Sequence, residues 1–263
     1  MPINEAIVKA AAALEPITLG EMEGVKLLNR VDTKFLTDEA TLLRVLEDAA
    51  AAGYRALMAD GDCISPYNSI YYDTDGLKMF LDHHNRRLVR QKVRTRVYEN
   101  SGEAFLEIKR KNNHGRTKKK RTTIPLAALR SFQTDEKACA YLLKHSAYTP
   151  EMLSPVLSTA FRRITLVNPA LTERLTIDTC LHFTNFRTGR QASLGRAVII
   201  ELKQDGHAAS QMKTILVKNR VKPARISKYC IAVTLTDRSI KSNRFKVKVR
   251  AIEKLINKKI DVI

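Results

Sequence analysis

Between Arg86 and Arg121 the chain carries fourteen lysines and arginines against three glutamates, and the spacing of these groups could do chemistry. In RLVRQKVRTRVY, Arg90, Lys92, Arg94 and Arg96 take every second position, with Val89, Val93 and Val97 among the others. Side chains in a strand alternate faces, so one face becomes a row of cations and the other an apolar surface. FLEIKRK repeats the pattern, with Glu107, Lys109 and Lys111 on one face and Leu106 and Ile108 on the other. In TKKKRTTI, parity from Ile124 sets Lys118 and Lys120 on the apolar side and Lys119 and Arg121 opposite. Rows of cations suit a polyanion. Phosphoryl transfer in particular needs phosphates held in place, their charge neutralised and usually a divalent metal, with little covalent help from protein. Arginine adds a fork that matches phosphate oxygens. A metal needs a carboxylate among the cations, and Glu201 and Glu107 qualify, each in a strand beside a same-face lysine. Such hard oxygen ligands favour Mg²⁺ or Mn²⁺.

These residues also admit plainer readings. Glu107 serves equally well as a charge partner for Lys109, and the run Lys118 to Arg121 as a solvated face or a nucleic-acid patch. His83 and His84 lack a companion at metal-ligand spacing and read as surface residues. No GxxxxGK[ST], GxSxG or HExxH motif occurs.

Short turn-like links at 99–102 and 112–115 join the basic segments into a meander of hairpins. Before it, the pattern predicts helices at 3–14 and 19–28 and a strand RVDTKFL with Arg30, Asp32 and Lys34 on one face. Thr37 then caps a helix over 38–52, strands follow at 54–58 and 69–72, and a short helix at 77–84. After it come a helical region to Tyr148, strands at 155–167, 174–186 and 196–203, and helices at 207–218 and 227–236. Residues 241–263 form a basic amphipathic tail. Almost every strand shows charge on a single face. A closed barrel with a charged lumen and helices outside explains that economically, and an open sheet with a solvated basic face is the alternative.

The 263 residues bear a formal net charge of +19 and a pI near 9.9, which calls for an anionic partner. Aromatics are only 6% and tryptophan is absent, against the stacking platforms of single-strand binders, so nucleic acid is an unlikely partner. Cys63, Cys139, Cys180 and Cys230 are widely spaced and read as reduced thiols of a cytosolic protein. The N-terminus does not read as a signal peptide, and no apolar run reaches the roughly 18 residues of a membrane span. The expected location is cytoplasmic, with peripheral contact to an acidic membrane left open by the charge.

The ordered segments RVDTKF, SIYYDT, VRTRVY, FLEIKRK, KKKR, FRRITL, RLTIDT, IIELK and RISKYC resemble the VTC domain of polyphosphate polymerases, in the triphosphate tunnel metalloenzyme (CYTH-like) superfamily. The resemblance runs from Arg30 to Cys230. It implies an α+β fold whose core is an antiparallel eight-stranded β-barrel tunnel with a charged lumen and peripheral helices. It implies one domain over 1–263, with its core at about 30–236. Carried over residue by residue, it implies phosphate or ATP contacts from Lys34, Arg94, Arg96, Lys109, Lys119, Arg163, Arg174, Arg225, Ser227 and Lys228, and from Arg87. It implies a metal ligand in Glu201; Glu107 is a second candidate on the strand pattern alone, and Mn²⁺ or Mg²⁺ is the expected cofactor.

The expected activity is transfer of the ATP γ-phosphate to a growing inorganic polyphosphate chain, with pyrophosphate or triphosphate as related ligands. A triphosphate or polyphosphate hydrolase on the same fold, or a non-catalytic polyphosphate-binding module, are the alternatives. The Glu-rich ExExK strand of the hydrolytic tunnel enzymes is replaced by RVDTKF, which favours the polymerase branch. Arg225 stands where the family pattern has lysine, and Arg162 beside Arg163 leaves that strand's register open by one. Neither a phosphate-sensing SPX domain nor the membrane helices of the vacuolar proteins accompanies the resemblance.

Overall fold

A computed structural model describes residues 3–22, 25, 30–206 and 209–263. Among the described residues, eleven strands and eight α-helices follow one another. They are α1 (Glu5–Ala12), β1 (Glu15–Ile17), α2 (Leu19–Met22), β2 (Arg30–Asp38), α3 (Glu39–Ala51), β3 (Arg55–Leu57), β4 (Ser65–Asp73) and α4 (Lys78–His84). Next come the meander strands β5 (Arg90–Tyr98), β6 (Glu103–Lys111) and β7 (Thr117–Ile124), then α5 (Glu136–His145). The chain ends with β8 (Ser154–Val167), β9 (Glu173–Asn185), β10 (Gln191–Ser193), β11 (Ala197–Asp205), α6 (Gln211–Lys218), α7 (Lys228–Thr236) and α8 (Asn243–Ile256).

Eight strands pair antiparallel in the order β2-β11-β9-β8-β4-β5-β6-β7. The expected α+β fold with eight antiparallel strands is present. Among the described residues the end strands β2 and β7 do not pair, so the wall is a curled half-barrel. Its curl has an electrostatic signature. Lys109 on β6 and Glu201 on β11 interact although five ladder steps separate their strands. In a flat sheet that would be about 24 Å.

Alternation decides which way each residue points. Phe35, Ile164, Leu166, Leu175, Ile177, Ile200 and Leu202 face outward and pack with Leu42, Val45, Leu46 and Ala49 of α3 and with α1 and α6. Those α3 residues recur at helical spacing and are fully buried, and burying each of the larger ones is worth about 1.5–3 kcal/mol. Val93, Leu106 and Ile108 make the matching cluster under Phe132, Ala138 and Leu142 at α5. At one end the concave face is filled. Tyr71, Phe161 and Ile199 pack with α7, which is buried on nearly all sides, and with Phe245, Ile252 and Ile256 of α8. The predicted tail is thus largely a packed helix.

Two boundaries differ from expectation. Thr37 was expected to cap α3, but it still pairs with Val198 in the ladder, so the cap falls to Asp38, whose carboxylate accepts from Thr41 N at 2.7 Å. The second strand begins at Ser65 rather than Ser69, because β4 runs its full length between β8 and β5. The predicted helix at 19–28 is observed as α2, its remainder lying outside the described residues apart from Val25. Residues 207 and 208 of the predicted helix at 207–218 also lie outside them. Among the described residues no disulfide joins the four cysteines.

Candidate active site

Register gathers the charged residues on the concave face. Lys34 stands opposite Glu201, Lys203 opposite Arg174, and Arg163 opposite Asp178. Arg96 stands opposite Ser69, and Arg94 between Tyr71 and Glu107. Lys109 stands between Lys92 and Lys119. All share one pleat face of seven neighbouring pairs of strands.

Four carboxylates lie among these cations. Asp32, opposite Lys203, is exposed and pairs with Arg30 at 2.6 Å, and the environments of the other three separate them. Glu107 is fully buried; Arg94 Nε donates to its Oε2 at 2.7 Å and Lys119 pairs with its Oε1. Burial raises its carboxyl, but Arg94, Arg96 and Lys119 reverse that and hold it far below the usual range. Asp178 accepts a two-pronged bond from Arg163, at 2.6 and 2.8 Å, and pairs with Lys228 from the start of α7. It too is held well below the carboxylate range, burial being outweighed by those two cations. Glu201 makes no ion pair within 4.0 Å among the described residues. Its carboxyl, raised by burial, is brought down to about 2 by Lys34, Lys203, Lys109 and Arg163.

Cations outnumber these anions, and several meet only neutral groups. Lys34 Nζ donates to Ile226 O at 3.4 Å, Lys92 Nζ to Ser227 Oγ at 3.0 Å, and Arg96 Nε to Ser69 Oγ at 3.0 Å. Arg174 Nε is buried without a hydrogen-bond partner. The lysines register the crowding. Arg94 first, then burial, pushes Lys109 well below its usual value. Burial brings Lys203 and Lys228 to about 8, against the pull of Glu201 and Asp178. Tyr71 OH accepts from Arg94 at 3.0 Å; burial raises its phenol, but Arg94, Lys92, Arg96 and Lys228 bring it to about 8. A surface that strains to shed protons in this way is one that an anion would relieve.

The structure therefore brings together Lys34, Arg94, Arg96, Glu107, Lys109, Lys119, Arg163, Arg174 and Glu201 on one face. Ser227 and Lys228 reach the same face from the N-terminus of α7. Arg87 and Arg225 do not join it by their side chains. Both are exposed, and each contributes a backbone carbonyl instead, Arg87 to Arg90 Nη1 at 2.7 Å and Arg225 to Lys248. The register question resolves to Arg163, since the unbroken pairing of β8 with β4 from Leu157 to Arg163 keeps Arg163 in step with Phe161 and leaves Arg162 exposed. His83 and His84 are not surface residues. His84 is buried and His83 half-buried, and burial, with Lys92, Arg90, Lys248 and Lys34 around it, holds His83 neutral. Glu107 is a charge partner, though of Arg94 and Lys119 across the ladder rather than of Lys109 as expected, with both oxygens taken.

Sequence reasoning missed Lys92, Lys203 and Asp178 as site residues. The period-two signal carried all three, at two positions from Arg94, Glu201 and Thr176 respectively. Tyr71 had no comparable signal, because a tyrosine in a strand reads as ordinary packing. The donor set bears on a metal. Among the described residues no three His, Cys, Asp or Glu side chains gather at metal-binding spacing. Glu201 alone offers an uncommitted carboxylate, a set that fits a divalent ion brought in with phosphate oxygens better than a resident one.

An antiparallel curled sheet whose concave face is lined by cations, with isolated carboxylates among them, is the architecture of a polyanion site. The VTC domain family model matches residues 29–237, and the chain belongs to that family. Membership supports a polyphosphate-related tunnel enzyme. No curated protein sequence matches the chain. Solved structures resemble it distantly. A candidate adenylyl cyclase from Hippeastrum, described as having a dominant triphosphatase activity, is 11% identical with a TM-score of 0.47, covering 78% of this chain and 95% of that one. Candidate adenylate cyclases from Bacillus halodurans (14% identity, TM-score 0.46, covering 76% of this chain and 96% of that one) and Vibrio parahaemolyticus (9%, 0.45, 77% and 96%) are similar. No helix among the described residues is long and apolar enough to cross a membrane.

Proposed function

We propose that the chain is a metal-dependent polyphosphate polymerase that transfers the γ-phosphoryl group of ATP to a growing inorganic polyphosphate chain. One observation carries the reading: a continuous inner row of cations contains one carboxylate, Glu201, that no cation has claimed. In this reading Lys34, Lys109, Arg163 and Arg174 surround the triphosphate and spread the charge that develops on the transferring group. Lys92, Arg96 and Lys228 continue the track for the chain. Arg94 and Lys119 are oriented by Glu107, and Arg163 and Lys228 by Asp178, so their donors stand ready before substrate arrives.

Bound Mn²⁺ or Mg²⁺ would neutralise phosphate charge and polarise the reacting phosphoryl group. Glu201 would hold that ion against the surrounding cations. A terminal oxygen of the acceptor chain forms the new bond to the γ-phosphorus. The bond to the β,γ-bridging oxygen breaks, and ADP leaves with the electron pair. The reading takes residues 1–263 as one unit. The packing of α8 on α7 within one apolar cluster supports that.

Incubation with ATP and Mn²⁺, followed by gel resolution of polyphosphate, tests the proposal. A ladder of long chains, lost in Glu201→Gln and weakened in Lys109→Ala, is expected. ADP and free phosphate without chains would replace it with a hydrolase. Binding of polyphosphate without turnover would leave a binding module.

A further inference from the structure

The same hairpin that supplies Lys109 and Lys119 to the inner face builds a second basic concavity on its outer face. A cavity of about 370 Å³ lies there, lined by Arg110, Lys111, Arg116, Lys118, Lys120 and His145. Its volume falls in the roughly 300–1,000 Å³ range of small-molecule sites. Pairing explains the separation. Arg110 stands opposite Lys118, and Ile108 opposite Lys120, one residue out of phase with the inner pair Lys109 and Lys119. The wall of β6 and β7 lies between the two sites, so the cavity is not a branch of the tunnel.

Three observations give it the character of a binding site. No carboxylate occurs among its described lining residues. None of its cations makes an ion pair among the described residues, and Lys120 and Arg110 add to burial in lowering the basicity of His145. At its floor, Gln91 is 7% exposed and its orientation is fixed, since Oε1 accepts from Ser146 Oγ at 2.9 Å and Ala147 N at 3.2 Å. Gln91 is thus a largely buried, oriented amide on the cavity wall.

We propose that this outer cavity binds a compact anion bearing several closely spaced phosphates, independently of the tunnel. Five cations within one concavity exceed what a single phosphate neutralises. The lining holds no tyrosine, phenylalanine or tryptophan on which a base could stack, which turns the chemistry away from single-stranded nucleic acid. Val89 and Ile108 supply an apolar base on which lysine and arginine stems lie while their heads reach the anion. The anion could be a stretch of linear polyphosphate or a discrete polyphosphorylated molecule, and both present the same chemistry to these residues.

Calorimetric titration of the full chain with myo-inositol hexakisphosphate and, separately, linear tripolyphosphate tests this. The variants are Lys118→Ala/Lys120→Ala, both exposed and outside the inner row, and Lys109→Ala as the tunnel comparator. Thermal melting verifies that each is folded. The outer double variant should weaken binding of at least one probe by about tenfold or more. Lys109→Ala should leave that outer-site affinity within about twofold. Dependence of the hexakisphosphate alone would assign a discrete molecule, and of tripolyphosphate alone a chain. The proposal is overturned if both probes bind the double variant as they bind the parent. It is overturned equally if that variant loses only binding to duplex DNA or to anionic phospholipid vesicles.

Discussion

Arg163 and Asp178 face each other across β8 and β9 and join through two hydrogen bonds of 2.6 and 2.8 Å, while Lys228 of α7 pairs with the same carboxylate. One side chain of 1% exposure thus holds a tunnel arginine in place and fastens α7 to the sheet. Removing it would leave two largely buried cations uncompensated. We expect Asp178→Ala to lose about 3–5 kcal/mol of stability, read from urea unfolding. Lys228→Ala, which leaves the Arg163 pair intact, should lose less. Losses below about 1 kcal/mol in Asp178→Ala would mean that this pair is a bystander.

Glu107 and Glu201 share a face but should fail differently when neutralised. Glu107→Gln removes the counter-charge from Arg94 and Lys119 at a fully buried position, so the expected deficit is in folding. Glu201→Gln breaks no ion pair, so the protein should fold, and metal-dependent turnover should fall by about a hundredfold or more. Parallel measurements of melting temperature and ATP consumption separate the two. Full metal-dependent turnover in folded Glu201→Gln would remove it from the metal assignment.

Alternation made much of this legible in the sequence. The row Arg90, Lys92, Arg94, Arg96 and the parity of Lys119 against Lys120 follow from a period of two, which survives folding because a strand has only two faces. What alternation does not encode is curvature. Whether the basic face meets water or closes on itself depends on strands far apart in sequence, and it shows in cross-face interactions such as those of Lys109 with Glu201 and of Lys92 with Lys34. Loop residues were the weakest expectations for a related reason. Arg87 and Arg225 lie where no ladder fixes the side chain, so a motif match could place the backbone but not the guanidinium. His83 and His84 were misjudged because their burial comes from Phe245 of α8, about 160 residues away.

Protonation gives the third test. Burial and neighbouring charge bring Lys203 and Lys228 to about 8 in the folded chain from an ordinary 10.5, and Tyr71 to about 8 from 10.0. Between those limits the unfolded chain holds more protons than the folded one, so stability rises with pH. Put the other way, the stabilisation available above the unfolded values is lost as pH falls through about 8. Polyanion binding has the opposite sign, because it draws on the charges being lost. From about pH 7 to about pH 9, the melting temperature of the free protein should rise while its affinity for tripolyphosphate falls. Two quantities moving in the same direction would contradict the reading that these lysines face a phosphate site.

Arg162 and Arg163 offer the most economical test of the register on which the site depends. Regular alternation along β8 turns Arg162 to solvent and leaves Arg163 on the concave face, in reach of Asp178 and over the Tyr67 ring at 4.8 Å. A slip of one residue would exchange their places and send every side chain of β8 to the wrong side. Arg162→Ala should therefore change stability by no more than about 0.5 kcal/mol and leave tripolyphosphate affinity alone. Arg163→Ala strips Asp178 of its two-pronged partner, at a cost of about 1.5–3 kcal/mol, and should weaken tripolyphosphate binding as well. The reverse pattern would relocate the whole β8 contribution to the tunnel. The pair thus tests the geometry of the wall before any assumption about turnover enters.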